Sequence, residues 1–239
     1  MPAASPTAVF FDLDGTILDW QSGMEESWLA VCESHAGGVF EPARMYDAIC
    51  VRREWFWGDE HRAQRARMNL ELSAREIVLR AFADLGLEEA DRALRIADDY
   101  RARRDEEIGP YPGAIETLRA FRAGGIPLAL ITNGAAASQR RSIERHALAQ
   151  YFACVVVEGE FGVGKPDERV FRHALDALST DPRTTWMVGD NLVADIAVPH
   201  ALGMHTVWVD GDGDGLPPTA PVRPHRIVRA IAELAPRER

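Results

Sequence analysis

Residues Phe10-Phe11-Asp12-Leu13-Asp14-Gly15-Thr16 close an apolar run with two carboxylates two positions apart. At the C-terminal end of a strand, such a pair projects into the crevice where open α/β sheets bind ligands. Gly15 allows a sharp turn and a close backbone approach to an anion. Three further segments carry reactive types. Thr132-Asn133-Gly134 offers a hydroxyl, an amide and backbone N–H groups able to cradle phosphate oxygens near a helix N-terminus. Gly162-Val163-Gly164-Lys165-Pro166 supplies a lysine, and Gly189-Asp190-Asn191 a further carboxylate, with Asp195 five residues after Asp190. Each segment also has a plain structural reading: a polar turn, an Asn-Gly turn, a solvated lysine, or a helix cap at Asp190 or Asn191. Their recurrence at successive strand ends points instead to one site for anionic chemistry.

The elements that must position these residues are five short apolar runs, at 8–13, 126–132, 153–157, 185–189 and 205–210. Each is near-continuously apolar rather than alternating, as expected of strands covered on both faces. Helical spacing fills the intervals at 113–123, 137–148, 168–178 and 193–202. Strands alternating with helices predict an α/β fold with a Rossmann-like parallel sheet and right-handed crossovers. The interval between the first two runs is far longer than one crossover needs. It reads as helices over 23–34, 42–56, 63–86 and 89–107, and it holds Trp20, Trp28, Trp55 and Trp57. The expected organisation is an α/β core of residues 1–18 and 110–239, with an all-helical insertion at 19–109. Residues 211–224 read as a loop, 226–228 as an edge strand and 230–234 as a last helical turn.

The bulk numbers narrow the classes. Of 239 residues, 46% are hydrophobic and 27% charged, the balance of a globular chain able to bury a full core. A net charge of -10 repels nucleic-acid backbones and anionic membranes, so neither is expected as a partner. No stretch has the apolar length of a membrane span, and residues 1–7 lack the pattern of a signal peptide. Cys32, Cys50 and Cys154 are widely spaced and odd in number, which fits reduced thiols. A cytoplasmic location and a monomer or homodimer are expected.

The set DLDGT, ITNG, GKP and GDNLVAD, in that order, resembles the four motifs of the haloacid dehalogenase superfamily of hydrolases. The resemblance runs the length of the chain and includes a helical cap inserted after the first motif. It implies that Asp12 attacks phosphorus and forms an aspartyl-phosphate. Asp14 would protonate the leaving oxygen and then activate water. Mg²⁺ would bind Asp12, the backbone carbonyl of Asp14, and Asp190, with Asp195 orienting the metal's waters or Lys165. Thr132, Asn133, Gly134 and Lys165 would hold the phosphoryl oxygens. The physics agrees, because Asp12, Asp14 and Asp190 cannot all ionise in one cleft without a cation, and Mg²⁺ prefers hard oxygen ligands. Lys165 would add a fixed positive charge where negative charge develops.

Dehalogenases of the superfamily lack an acid at the Asp14 position, since halide leaves without a proton. The resemblance therefore implies a Mg²⁺-dependent phosphomonoester hydrolase acting on a small phosphorylated metabolite. The alternatives are a phosphosugar mutase of the same superfamily and, behind it, a haloacid dehalogenase. The segment Arg52-Arg53-Glu54-Trp55-Phe56-Trp57 with His61-Arg62 is similar to caps of phosphatases for nucleotides or sugar phosphates. Arg53, Trp55, Trp57 and His61 are therefore candidates for substrate selection, while Trp28 reads as core. The run from Asp210 to Gly215 opens like a calcium loop, but position twelve is Pro221 rather than Glu, which favours a turn.

Overall fold

The computed structural model describes residues 5–235. Two compact units divide the chain, one formed by residues 1–19 and 109–239, the other by Trp20–Ile108. The first is built on β1 (Ala8–Phe11), β2 (Leu18–Asp19), β3 (Gly109–Pro110), β4 (Leu128–Thr132), β5 (Cys154–Val157), β6 (Thr185–Gly189), β7 (His205–Val209) and β8 (Arg226–Val228). Six of these strands form one sheet in the order β5-β4-β1-β6-β7-β8, and every neighbouring pair is parallel. The α/β, Rossmann-like sheet is thus the observed fold.

Burial on both faces explains the unbroken apolar runs. In β1, Ala8 and Phe10 pack with Ala129, Ile131 and Met187 in one cluster, and Phe11 meets Phe121 with ring centroids 6.1 Å apart. Each side chain of this kind contributes roughly 1.5–3 kcal/mol through burial. The helices of this unit alternate with the strands. Those of the insertion precede them in chain order and are α1 (Met24–Ala36), α2 (Pro42–Trp57), α3 (Glu60–Arg67), α4 (Leu70–Asp84) and α5 (Ala90–Glu107). The core then adds α6 (Ala114–Ala123), α7 (Ala136–Arg145), α8 (Glu158–Phe161), α9 (Glu168–Ala177) and α10 (Val198–Ala201). The amphipathic α9 buries Val170, Phe171, Ala174 and Leu175 against the Phe10 face of the sheet.

The second unit holds α1 to α5 and, among the described residues, no strand. Its core gathers Trp28, Cys32, Met45, Ile49, Phe56, Ile77, Val78 and Phe82 with Ile96 and Tyr100. Trp28 is buried and stacks on Tyr100 at 3.4 Å between ring centroids, the core role expected of it. Arg104 is buried here and compensated, donating to the Trp20 carbonyl at 2.7 Å and pairing with Glu107 at 3.1 Å. The chain leaves the first unit after β2 and returns to it at β3. These strands pair antiparallel, with Asp19 opposite Gly109.

Three expectations change in detail. The helix expected over 63–86 is two helices, because Asn69 caps α4 by accepting the Leu72 N–H at 3.1 Å. An asparagine that satisfies an orphan N–H is worth more as a cap than inside a helix. The helix expected over 137–148 stops at Arg145, and a 3₁₀ turn follows at Leu148–Tyr151. The helix expected over 193–202 is a π-helical stretch, Leu192–Ala197, continued by α10. The three cysteines are free thiols. No helix among the described residues is long and apolar enough to cross a membrane.

Candidate active site

Sheet order decides where the motifs meet. β1 is central, flanked by β4 and β6, and the chain builds β4 and β5 on one side before crossing to β6, β7 and β8 on the other. That reversal at β1 is the switch point at which such sheets open a crevice beyond their carboxyl ends. Phe11 lies opposite Leu130 of β4 and Val188 of β6, so the residues just beyond share one edge. Asp12 continues the ladder by donating its N–H to the Val188 carbonyl at 3.0 Å. The chain then turns tightly, with the Gly15 N–H donating to the Leu18 carbonyl at 2.8 Å and Gly15 at φ 89°. That left-handed conformation suits glycine.

Lys165 is the hub of the site. Its buried Nζ lies 2.5 Å from Asp12 Oδ1 and 2.6 Å from Asp195 Oδ1. Burial works against the ammonium, but Asp12 and Asp195 more than offset it and raise its pKa. Asp195 is buried on the π-helical stretch, and its Oδ2 accepts the Asn191 N–H at 3.0 Å. The side chain packs directly over Gly189, where an added Cβ would lie 2.4 Å from Asp195 Cβ. π-helical insertions of this kind recur at functional sites.

The carboxylates outnumber the cation. Asp12, Asp190 and Asp195 present ligand oxygens within 4.8 Å of one another, facing one ammonium. Burial, then Asp12 and Asp195, pushes the Asp190 carboxyl up to about 8. Burial, relieved in part by Lys165, holds Asp195 at about 6. A cluster that retains protons at neutral pH is short of positive charge. Its donors are all hard oxygens. Both features fit a divalent cation such as Mg²⁺ with Asp12 and Asp190 among its ligands, while the two oxygens of Asp195 are engaged by Lys165 and the Asn191 N–H.

The remaining candidates divide. The Thr132 hydroxyl, buried at the end of β4, donates to Gln139 Oε1 at 3.0 Å. Gln139 Nε2 in turn donates to Asp14 Oδ2 at 3.1 Å. Asn133 clamps the Lys165 backbone, with Nδ2 donating to its carbonyl and Oδ1 accepting its N–H, both at 2.7 Å. The Gly134 N–H donates to buried Glu158 Oε2 at 2.8 Å. Asn191 is the helix cap its position allowed, accepting from the Val193 and Ala194 N–H groups at 3.0 and 2.9 Å. Asp210 binds the Gly213 and Gly215 N–H groups through its two oxygens, both at 3.0 Å, which makes that acidic run a tied turn.

Gln139 and Glu158 were not singled out in the sequence. Glu158 directly follows β5, a position that could have marked it, whereas Gln139 lies in the first turn of α7, seven residues past β4, where no sequence signal set it apart.

In the helical unit, Trp55 has the guanidinium carbons of Arg62 and Arg80 over its ring, at 3.9 and 4.6 Å from the centroid. Arg62 also donates to the Trp55 and Phe56 carbonyls at 2.6 and 3.1 Å. Arg53 contacts the Met24 sulfur. Trp57 and His61 are exposed.

A parallel sheet carrying acidic chemistry at its switch point defines an α/β enzyme class. Within it, the chain belongs to the haloacid dehalogenase-like hydrolase family, whose profile matches residues 6–203. A phosphoserine phosphatase of Thermus thermophilus is 41% identical over 129 residues, 52% of this chain and 51% of that protein. A phosphoglycolate phosphatase of Agrobacterium fabrum is 30% identical over 82% of this chain and 77% of its own length. The chain spans about half the length of several curated relatives it matches, as with the 51% above and 44% of a rat N-acylneuraminate-9-phosphatase. In fold it is similar to a Bacillus subtilis hydrolase of this superfamily, YfnB, described bound to magnesium. That likeness has a TM-score of 0.73 at 20% identity and covers 97% of both chains.

Proposed function

We propose that this chain is a Mg²⁺-dependent phosphomonoester hydrolase of small phosphorylated metabolites, working through an aspartyl-phosphate on Asp12. The observation that carries the reading is the pairing of Lys165 with Asp12 at 2.5 Å inside a cluster of three carboxylates. Relatives named as phosphatases support the same direction.

Asp12 is the nucleophile. Lys165 holds one of its oxygens, fixes its orientation and offsets charge as phosphate approaches. Asp12, Asp190 and the backbone carbonyl of Asp14 would hold the metal, which when bound would let an anionic nucleophile approach an anionic phosphate, while Asp195 orients Lys165. Asp14 gives its proton to the ester oxygen as that oxygen leaves phosphorus, and later takes one from the attacking water. Lys165 is the phosphoryl-binding candidate whose charge lies at Asp12, whereas the Thr132 hydroxyl already donates to Gln139. The contacts of Asn133 and Gly134 suit shaping the Lys165 loop better than holding phosphate through those groups.

The helical unit acts as the cap that chooses the substrate, with Arg53, Trp57 and His61 as candidate contacts. Trp55 serves there as an arginine-stacked anchor. Nucleotides and sugar phosphates are the first classes to test.

Phosphate release from p-nitrophenyl phosphate with Mg²⁺ tests the reading. Turnover that vanishes in Asp12→Asn is expected. No turnover, or undiminished turnover by that variant, sinks it. Conversion of a sugar phosphate to its isomer without free phosphate would favour the mutase reading instead.

A further inference from the structure

Gln139 lies on α7, a helix whose side chains are mostly polar and of which only Gln139 and Ile143 are buried. With Ile143 it forms the buried stripe of that helix, and it is 6% exposed. Burying an amide is unfavourable unless both of its ends are hydrogen-bonded. Here both ends are bonded, and to two residues from different strand ends. Oε1 accepts the Thr132 hydroxyl at 3.0 Å, while Nε2 donates to Asp14 Oδ2 at 3.1 Å. These partners lie 7 and 125 positions away in sequence.

The polarity of this chain of bonds is not arbitrary. An ionised carboxylate only accepts, so the amide nitrogen is the end that must face Asp14. The Thr132 hydroxyl then donates to the amide oxygen and locks the amide against flipping.

We infer that Gln139 is a positioning residue for the acid–base step, holding Asp14 Oδ2 so that the transferable proton sits on Oδ1. The inference rests on Asp14 acting as acid and base in the proposed hydrolysis. In the first step, the Asp12–phosphorus bond forms as the ester P–O bond breaks, and the leaving oxygen takes the proton from Asp14. Asp14 is then a full carboxylate, and the bond from Gln139 Nε2 becomes charge-assisted and stronger. In the second step, Asp14 accepts a proton from water as the water oxygen bonds to phosphorus and the bond to Asp12 breaks. The amide has no titratable proton to lose, so it orients the carboxyl without competing for the proton. A neutral neighbour also adds no further negative charge beside Asp14.

The test is the dependence of kcat/KM on the leaving group, measured with p-nitrophenyl, phenyl and p-methoxyphenyl phosphates. These are similar in shape but differ in how far the departing oxygen needs a proton. The variants are Gln139→Met, of similar volume, and Gln139→Glu, which places an acceptor where Asp14 needs a donor. For the wild type, a shallow dependence is expected. For both variants, the loss should be within about threefold for p-nitrophenyl phosphate and roughly 10- to 100-fold for the poorer leaving groups. Because the comparison is made within one enzyme preparation, partial unfolding of a variant cancels.

An equal loss across the series, or none, would overturn the inference and leave the hydrolase reading standing. Failure of the wild type to hydrolyse any of the three esters would overturn both.

Discussion

At the residue scale, the site is one ammonium among carboxylates, and its energetics follow from that imbalance. Lys165 is buried between Asp12 and Asp195. Replacing it by Met leaves both anions uncompensated, and breaking a buried pair in this way typically costs about 3–5 kcal/mol. Lys165→Met should therefore melt at lower temperature and lose roughly 10²–10³ in kcat. Urea titration and steady-state kinetics check the two effects separately. Asp190 gives a second prediction. Its pKa is raised from 3.8 to about 8, so in the absence of metal the folded state binds more protons than the unfolded one. Its contribution to stability is present at low pH and is lost as pH rises from about 4 towards 8. A cation that binds the ionised cluster reverses the loss. The rise in melting temperature produced by Mg²⁺ should be larger at about pH 8 than at about pH 6, as read by differential scanning fluorimetry. An increment independent of pH would show that Asp190 is not a ligand. Asp12, Asp190 and Lys165 were legible as site candidates because each ends a readable apolar run or sits in a short motif. Gln139 was not, because its roles depend on partners distant in sequence. The turning of Asn133 toward the Lys165 backbone, 32 positions away, was hidden for the same reason.

At the element scale, the turn from β6 into the π-helical stretch is what places Asp195 under Lys165. Gly189 has no room for a side chain there, since a Cβ would lie 2.4 Å from the Asp195 carboxylate. Gly189→Ala should displace Asp195 and lower both stability and the Mg²⁺-induced rise in melting temperature, measured by thermal unfolding with and without the metal. The β7–β8 edge carries a different sensitivity. His225 lies between His200 and His205, with its ring centroid 4.7 Å from each and the rings tilted by about 30°. His225 Nδ1 accepts the Thr206 backbone N–H at 3.1 Å. Burial, with His225 and Arg226 nearby, lowers the His205 pKa, and burial with His200 nearby lowers that of His225. For a base with a lowered folded pKa, the unfolded state binds more protons. This stability is complete above the ordinary value of 6.5 and is lost as pH falls below it. Thermal melts with saturating Mg²⁺ should fall between about pH 7 and pH 5, and His225→Gln should flatten that fall. Sequence pattern located β1, β4, β6 and β7 well, because burial on both faces leaves an unbroken apolar signature. It merged α3 with α4 and missed the π-helical stretch, because a side-chain cap and one extra residue per turn leave helical periodicity nearly unchanged.

At the scale of the whole molecule, one unit carries the candidate chemistry and the other is an all-helical insertion with its own core. Asp19 and Gly109 are paired neighbours, so the insertion leaves and returns at a single two-stranded ladder. The length and helical content of the insertion were legible from the long interval after the first run. The surroundings of its aromatic residues were not, since Trp55 reads as a free stacking platform in the sequence whereas Arg62 and Arg80 lie over its ring.

The central claim is that Asp12 becomes covalently phosphorylated. The most direct measurement is rapid acid quenching during turnover of an aryl phosphate with Mg²⁺, followed by proteolysis and mass spectrometry of the peptide containing Asp12. A phosphoryl group on Asp12, chased by excess unlabelled substrate and absent from Asp12→Asn, is the predicted result. Steady phosphate release with no phosphorylated peptide at any quench time, under conditions that preserve acyl phosphates, would contradict the account.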